Sequence, residues 1–248
     1  MFRWLINSQI WLSRKFDKVL PYKFRLDGNY DFQENLVPAC LKENMVVYDV
    51  GAGKRPLLSS KVKKHLNLRV IGLDIEHEEL EAAPPGSYDE KIEADIAGYR
   101  GLNDADLIIC QALLEHVRDV ESAFSALSSI LKPGGLALIF VPNRNALYAR
   151  INRIIPQSTK KTMLAALYPK MQWKQGFKAY YNRCTPAEFK VLADQNNLVV
   201  INEYYYYNSI YFSFFFPLHL LWRLSVFIFY GIYKEQAAET FTLIVRKY

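Results

Sequence analysis

Short apolar runs alternate along this chain with stretches whose apolar residues recur at helical spacing. Seven runs have the length and the β-branched or aromatic content of strands: 46–50 (VVYDV), 69–73 (RVIGL), 90–94 (EKIEA), 106–110 (DLIIC), 136–141 (LALIFV), 198–206 (LVVINEYYY) and 240–247 (TFTLIVRK). Between them, Pro56 suits the first turn of a helix over 57–66. Asp119 is placed to cap a helix whose Phe124, Leu127 and Leu131 share one face, ending at LKPGG, where Gly134 and Gly135 supply the turn. Thr185, Pro186 and Glu188 form a capping box that opens a helix over 186–195. Strands alternating with helices predict an α/β fold with a mostly parallel sheet.

Two connections exceed ordinary length: Arg144 to Lys190, between strands five and six, and Asn208 to Glu239, between strands six and seven. The chain is therefore expected to form a single domain over 1–248. It carries an N-terminal amphipathic segment (1–30), a basic insertion (144–190) and an apolar insertion (208–239). A chain of 248 residues buries one substantial core.

The stretch IYFSFFFPLHLLWRLSVFIFYGIY, 210–233, is long enough to span a bilayer. Two considerations oppose a crossing. Arg223 near its middle would cost about 2.5–3.5 kcal/mol. More decisively, strand seven must return to the sheet that holds strand six. Two crossings would need about 40 apolar residues, and the insertion has 32 (208–239). The segment is thus expected to lie in a membrane interface, enter it shallowly, or pack as a cap or a dimer surface, with Pro217 dividing an aromatic entry from a helix over 218–232. The N-terminal residues Phe2, Trp4, Leu5, Trp11, Leu12 and Phe16, set among Arg3, Arg14, Lys15 and Lys18, suit the same interface.

Composition adds to this picture in three places. The chain is 51% hydrophobic and 15% aromatic, heavy for a soluble protein. Its net charge of +6 is unevenly spread: the basic insertion alone holds ten Lys and Arg against one acid, Glu188. That surface suits anionic lipid, phosphate or nucleic acid. The three cysteines, Cys40, Cys110 and Cys184, are widely spaced with no CxxC, which reads as reduced thiols, no zinc site and a cytosolic compartment. The N-terminus breaks its apolar run with Asn7, Ser8 and Gln9, unlike a signal peptide. No metal-ligating constellation is visible.

VVYDVGAGKRP, Val46 to Pro56, carries the chemistry. A buried strand runs into Gly51 and Gly53, which let a ligand approach the backbone. Asp74 ends the next strand, where a carboxylate can take two ribose hydroxyls. A dinucleotide loop wants a third glycine beside the pyrophosphate, but Lys54, Arg55 and Pro56 occupy that stretch. A cofactor without phosphates places less demand on it.

The motifs VYDVGAG, VIGLDIE, EADI, DLIICQALLEHV and LKPGGLALIFVPN follow in order from Val46 to Asn143, and TFTLIVRKY closes the chain. This pattern resembles the class I S-adenosylmethionine-dependent methyltransferases, in particular the ubiquinone-biosynthesis-type, methyltransferase type 11 group. The resemblance implies a Rossmann-like seven-stranded methyltransferase sheet with an antiparallel last strand, flanked by helices. It implies S-adenosylmethionine as cofactor. Asp49, Gly51, Ala52 and Gly53 would border its methionine portion. Asp74 would take the ribose hydroxyls, Ile75 and Ile96 would face adenine, and Asp95 would accept from the adenine amino group. Gln111 and Leu114 would line the pocket after strand four.

Methyl transfer from a sulfonium rests mainly on orientation and desolvation. An oxygen acceptor of high pKa also wants a base, for which His116 is the candidate, its ordinary pKa being about 6.5. Glu115 reads as an orienting or solvated residue. Asn143, Arg144, Tyr180, Tyr181 and Arg183 are the acceptor-side candidates.

The expected function is O-methylation of a lipid or lipid-linked acceptor, a quinone precursor or a polyprenyl-phosphate saccharide, by an enzyme peripheral on the inner face of the membrane. The alternatives are a soluble small-molecule methyltransferase with a hydrophobic cap or dimer surface, and a non-catalytic membrane-associated partner protein. Nucleic-acid methylation ranks last, because no Asn/Asp-Pro-Pro-aromatic tetrad is present.

Overall fold

The computed structural model describes residues 2–156, Thr159 and 178–248. Its strands are β1 (Val46–Val50), β2 (Arg69–Asp74), β3 (Glu90–Glu93), β4 (Ala105–Gln111), β5 (Leu131–Pro142), β6 (Leu198–Tyr206) and β7 (Thr240–Lys247). They form one sheet in the order β3-β2-β1-β4-β5-β7-β6. Neighbouring strands are parallel except at β7, which runs antiparallel to both β5 and β6. The flanking helices include α1 (Phe2–Val19), α2 (Ser60–His65), α3 (Val120–Ile130), α4 (Leu147–Ile154), α5 (Pro186–Gln195) and α6 (Phe216–Tyr233).

The central strands alternate between two cores. Val47, Leu107 and Ile109 join Phe32, Val70 and Phe140 on one face, while Tyr48, Ile108 and Cys110 join Phe124, Phe189 and Phe241 on the other. Every expected strand is present. The largest difference is β5, which begins at Leu131: Leu131 pairs with Ala105, and a register shift between Ala105 and Leu107 accommodates the LKPGG turn, where Gly134 takes φ 82°.

The caps mostly form as expected. The Asp119 carboxylate accepts from the Ser122 N–H, and the Thr185 hydroxyl accepts from the Glu188 N–H at 3.2 Å. The Glu188 carboxylate takes the Thr185 hydroxyl at 2.8 Å rather than its N–H, which donates to the Arg183 carbonyl. Two helix starts differ. Helix α2 begins at Ser60 with Ser59 as its cap, not at 57 behind Pro56. The Leu57 N–H points instead to the Asp49 carboxylate at 3.5 Å, holding that stretch as a loop. Helix α6 begins at Phe216, two residues before the expected start, so the aromatic entry and the helix are both present and Pro217 lies in the first turn.

Helices α1 and α6 pack together with their polar residues inward. On α1 the contacts fall at Gln9, Ser13, Phe16 and Asp17, one helical face. The Gln9 side-chain Oε1 accepts from the Phe216 N–H, the Ser13 hydroxyl donates to the Ser213 carbonyl, and the Phe16 ring meets Phe216 and His219. Arg223, only 1% exposed, is the centre of this layer. It donates to Asp17 at 2.7 Å, to the Phe24 and Tyr207 carbonyls at 2.9 and 2.8 Å, and to Asn208 at 2.6 Å. His219 Nε2 meets the same Asp17 oxygen at 2.9 Å. Expected as an obstacle in the middle of an apolar segment, Arg223 is instead the residue that fastens that segment to the domain. With His219, Trp222, Arg223 and Val226 buried, α6 turns Leu221, Leu224, Ile228 and Ile232 to solvent. Trp4, Leu5, Trp11 and Leu12 of α1 are exposed as well.

Replacing Arg223 with methionine leaves Asp17 with His219 alone and takes the donor from the Phe24 and Tyr207 carbonyls and from Asn208. It is expected to lower stability in urea unfolding by about 3–5 kcal/mol, with a paired Asp17→Leu substitution recovering part. Burial pushes the Asp17 carboxyl up, but the bonds from His219 and Arg223 outweigh it and hold it below its ordinary value. A lowered folded pKa contributes stability above the unfolded value, about pH 3.9. That contribution disappears as pH falls through the folded value. Acid titration should therefore narrow the gap between wild type and the Arg223 variant.

Candidate active site

The sheet reverses its strand order between β1 and β4, and a cleft opens at the carboxyl ends there. Gly51 leaves β1 with φ 80°, its N–H donating to the Leu73 carbonyl at 2.8 Å. A Cβ at this position would lie 3.1–3.3 Å from the Leu113 side chain. Gly53, at φ 53°, donates its N–H to Asp74 Oδ2 at 2.9 Å, and Lys54 is tied to Glu79 at 2.7 Å. The loop thus runs on to Ser59 before a helix starts, so the helix that follows β1 does not begin at the glycine turn. That accounts for the missing third glycine, whose use is to let a helix and a pyrophosphate approach closely.

A cavity of about 400 Å³ fills the cleft, within the usual ~300–1,000 Å³ range of small-molecule sites. Of the expected cofactor residues, Gly51, Asp74, Ile75, Asp95 and Ile96 line it together. Asp74 Oδ1 accepts from the Glu76 N–H, and Asp95 Oδ1 from the Ala97 N–H, which orients both carboxylates. A carboxylate at the end of β2, a second one after β3 and an apolar floor between them fit an adenosine. Other expected residues stand behind the wall. Asp49 is buried beneath the loop, its carboxyl pushed up to about 7 by burial, with the Tyr88 hydroxyl at 3.4 Å. That hydroxyl donates to the Ala52 carbonyl at 3.0 Å, so Asp49 and Ala52 shape the loop from below. Leu114 is fully buried in the core, and Leu113 takes the position at the cavity. Gln111 bonds to Gln33 and Asn29. Sequence reasoning missed Ala112, Leu113, Val117 and Arg118 as lining residues, although they flank its own candidates.

After β4 the chain makes a single 3₁₀ turn, Leu114–His116, gripped by the returning end of the basic insertion. The Tyr180 and Tyr181 N–H groups both donate to the Glu115 carbonyl, at 2.7 and 3.0 Å. His116 lines the cofactor cavity with its Nδ1 at 3.2 Å from the Lys178 carbonyl. Burial lowers the imidazole pKa, and the carbonyl opposes this. Of the two readings of Glu115, orienting or solvated, its burial excludes the solvated one. The residue is 4% exposed, burial pushes its carboxyl up to about 8, and Oε2 has no hydrogen-bond partner.

A second cavity, of about 270 Å³, lies beyond Ala112, which lines both. Its walls come from the Asp27–Asn29 turn, Glu115, the end of β5, Tyr148 and residues 208–211 of the apolar insertion. The acceptor-side candidates lie elsewhere. Asn143 is fully buried, its amide donating to the Gln236 and Ala238 carbonyls. Tyr181 is buried and receives a hydrogen bond from Asn152, and Tyr180 lines the cofactor cavity. Arg144 and Arg183 line a separate shallow cleft and pair with Glu188 at 3.6 and 3.7 Å. Arg183 also reaches Glu121, and Lys190 reaches Glu203 at 2.6 Å. Acids from outside the insertion therefore offset part of its charge. Lys160, Lys161, Lys170 and Lys174 lie outside the described residues.

Asp74→Ala removes a charged acceptor and should weaken S-adenosylmethionine binding in calorimetry by about 1.5–3 kcal/mol. Gly51→Ala, which adds both backbone strain and a contact with Leu113, should weaken it too, while NAD should bind neither wild type nor variants.

A family model described as a methyltransferase domain matches residues 25–203. The ubiquinone biosynthesis O-methyltransferase of Cupriavidus pinatubonensis is 31% identical over 106 residues, 40% of this chain and 42% of that protein. The protein of the same name from Vibrio atlanticus is 32% identical over 128 residues, 46% of this chain and 53% of that one. The chain thus spans about half the length, or less, of these curated relatives. Geranyl diphosphate C-methyltransferase from Streptomyces coelicolor, solved with S-adenosylhomocysteine, shares the fold at TM-score 0.57 and 11% identity, over 89% of this chain and 81% of that one. With a family match across most of its length and the cleft that such a match requires, this chain belongs to the class I S-adenosylmethionine-dependent methyltransferases.

Proposed function

We propose that this protein transfers a methyl group from S-adenosylmethionine to an oxygen of a lipid or lipid-linked acceptor, working in the cytoplasm and peripherally on a membrane. One observation carries the reading: the apolar outer face of α6 rises from the same sheet edge as the cofactor cavity. In the strand register, Thr240 stands opposite both Pro142 and Tyr206, so the insertion leaves and re-enters the sheet at the carboxyl ends of β5 and β6. Leu221, Leu224, Ile228 and Ile232 are exposed there although each would contribute about 1.5–3 kcal/mol if fully removed from water. Cations border the aromatic residues of the two helices, with Lys15 over Trp11, Lys23 over Tyr230 and Arg150 over Phe229. Such a border suits the headgroup level.

The helical stretch Phe216–Ala237 meets the length and composition of a membrane-crossing helix, with mean hydropathy 1.3. Its inward bonds from Arg223 and its two ends on one sheet edge favour a helix lying along the surface. Oxygen as the methylated atom, and a quinone precursor as acceptor, draw support from the name of the curated relatives.

The full chain should sediment with anionic vesicles more than with neutral ones, each Lys or Arg near the surface adding roughly 1 kcal/mol. The triple substitution Leu221→Ser, Leu224→Ser and Ile228→Ser should abolish sedimentation and leave S-adenosylmethionine binding intact. A wild type that ignores vesicles but sediments as a dimer dissociated by the same substitutions would replace the membrane with a second subunit.

A further inference from the structure

We propose that the second cavity holds the head of the acceptor, an uncharged hydroxylated ring, and that Glu115 is the catalytic residue that accepts the hydroxyl proton. The proposal rests on the methyltransferase reading and deepens it.

Three observations converge. The cavity meets the cofactor cavity at Ala112, so a ligand there lies beside the methyl donor's site. Its wall is aromatic, with Phe140 on one side and Tyr148 stacked on Tyr211 at 4.3 Å and 18°. Among the described residues, the charged ones that line it are Asp27 and Glu115, both acids. A phosphate would meet repulsion from these acids, whereas an uncharged ring would stack and find an acceptor for its hydroxyl. The carboxylate is pre-set for this, because Glu115 Oε2 is buried without a partner while Oε1 stands 3.7 Å from His116 Nε2.

The step balances within the pair of sites. The acceptor's O–H bond breaks, its proton passing to the Glu115 carboxylate. The oxygen electron pair forms the new O–CH₃ bond, and the S–CH₃ pair stays on sulfur, which becomes a neutral thioether. Protonated Glu115 then returns its proton to solvent. Among the described residues, the titratable groups that face Glu115 are Cys110 from β4, Tyr148 from α4, Tyr181 and Cys184 from the returning insertion, and His116 beside it. Burial raises the pKa of the two thiols and the two phenols and lowers that of the imidazole, so none of the five brings a charge near neutrality. Burial also pushes Glu115 up to about 8. This brings it within about two units of a phenol, whose ordinary pKa is about 10, and a closer match eases the transfer.

The experiment uses the full chain, S-adenosylmethionine labelled on the methyl group, and 4-nonylcatechol in mixed micelles as the probe. Wild type should bind the probe and methylate it, with turnover rising about tenfold per pH unit up to about 8 and level above. Nonyl phosphate should compete at least tenfold more weakly. Glu115→Gln should keep cofactor and probe affinity within about threefold, lose about 10²–10⁴ in turnover and lose the pH limb. Glu115→Asp should keep the limb at intermediate turnover, and His116→Ala should keep it with a smaller loss. The proposal is overturned by a wild type that fails to bind or methylate the probe, or whose turnover does not change with pH. It is equally overturned by equal competition from nonyl phosphate, by a Glu115→Gln variant within fivefold of wild type, or by a limb that follows His116 instead. Failure of wild type to bind S-adenosylmethionine would strike the methyltransferase reading itself.

Discussion

Strand β7 runs antiparallel between β5 and β6, and the functional half of the molecule follows from that one constraint. Because β7 points back, its first residue sits beside the last residues of both neighbours. The connection that precedes it must therefore leave and return at the carboxyl edge. That is the edge at which the β1–β4 cleft opens. An apolar segment inserted there cannot be carried away from the chemistry. It furnishes part of the second cavity through residues 208–211, and the exposed face of α6 follows directly after them.

The same constraint explains the polarity of α6. A helix tethered at both ends to one edge has to bond to the domain along its length, and the partners available there are carbonyls: those of Phe24 and Tyr207, with Asn208 beside them. A guanidinium is the side chain that can satisfy several acceptors at once from a fixed fork. Arg223 does so with Asp17 as its counter-charge, and it recruits α1 in the process. Inward polarity then leaves the leucines and isoleucines of α6 facing outward.

The 3₁₀ turn Leu114–His116 stands between the two cavities, and its neighbours divide its side chains. His116 turns to the cofactor cavity, where the Lys178 carbonyl holds it, and Glu115 turns to the other. The backbone of Tyr180 and Tyr181 fixes the turn through the Glu115 carbonyl. A carboxylate placed this way has little water to share its charge, which is why burial dominates its titration.

The sequence by itself determined what depends on local order. Strand positions followed from short apolar runs, the caps at Asp119 and Thr185 from side chains three residues from their targets, and the cleft residues Gly51, Asp74 and Asp95 from motifs at strand ends. Even the topology of the apolar insertion was legible, since strand seven had to return to its sheet. Tertiary structure decided what depends on residues distant in the chain. Asp17 lies 206 residues from Arg223, so no window of sequence could reveal that this arginine is a tether. Glu203, which pairs with Lys190, lies outside the insertion whose charge it offsets. Glu115 and His116 are adjacent in sequence and equally polar, so only the packing of β5, α4 and the returning insertion could separate a buried carboxyl from a cofactor-lining imidazole. The physical reason is common to all three: burial and pairing set the properties of a charged group, and both are created by chain segments that meet only on folding.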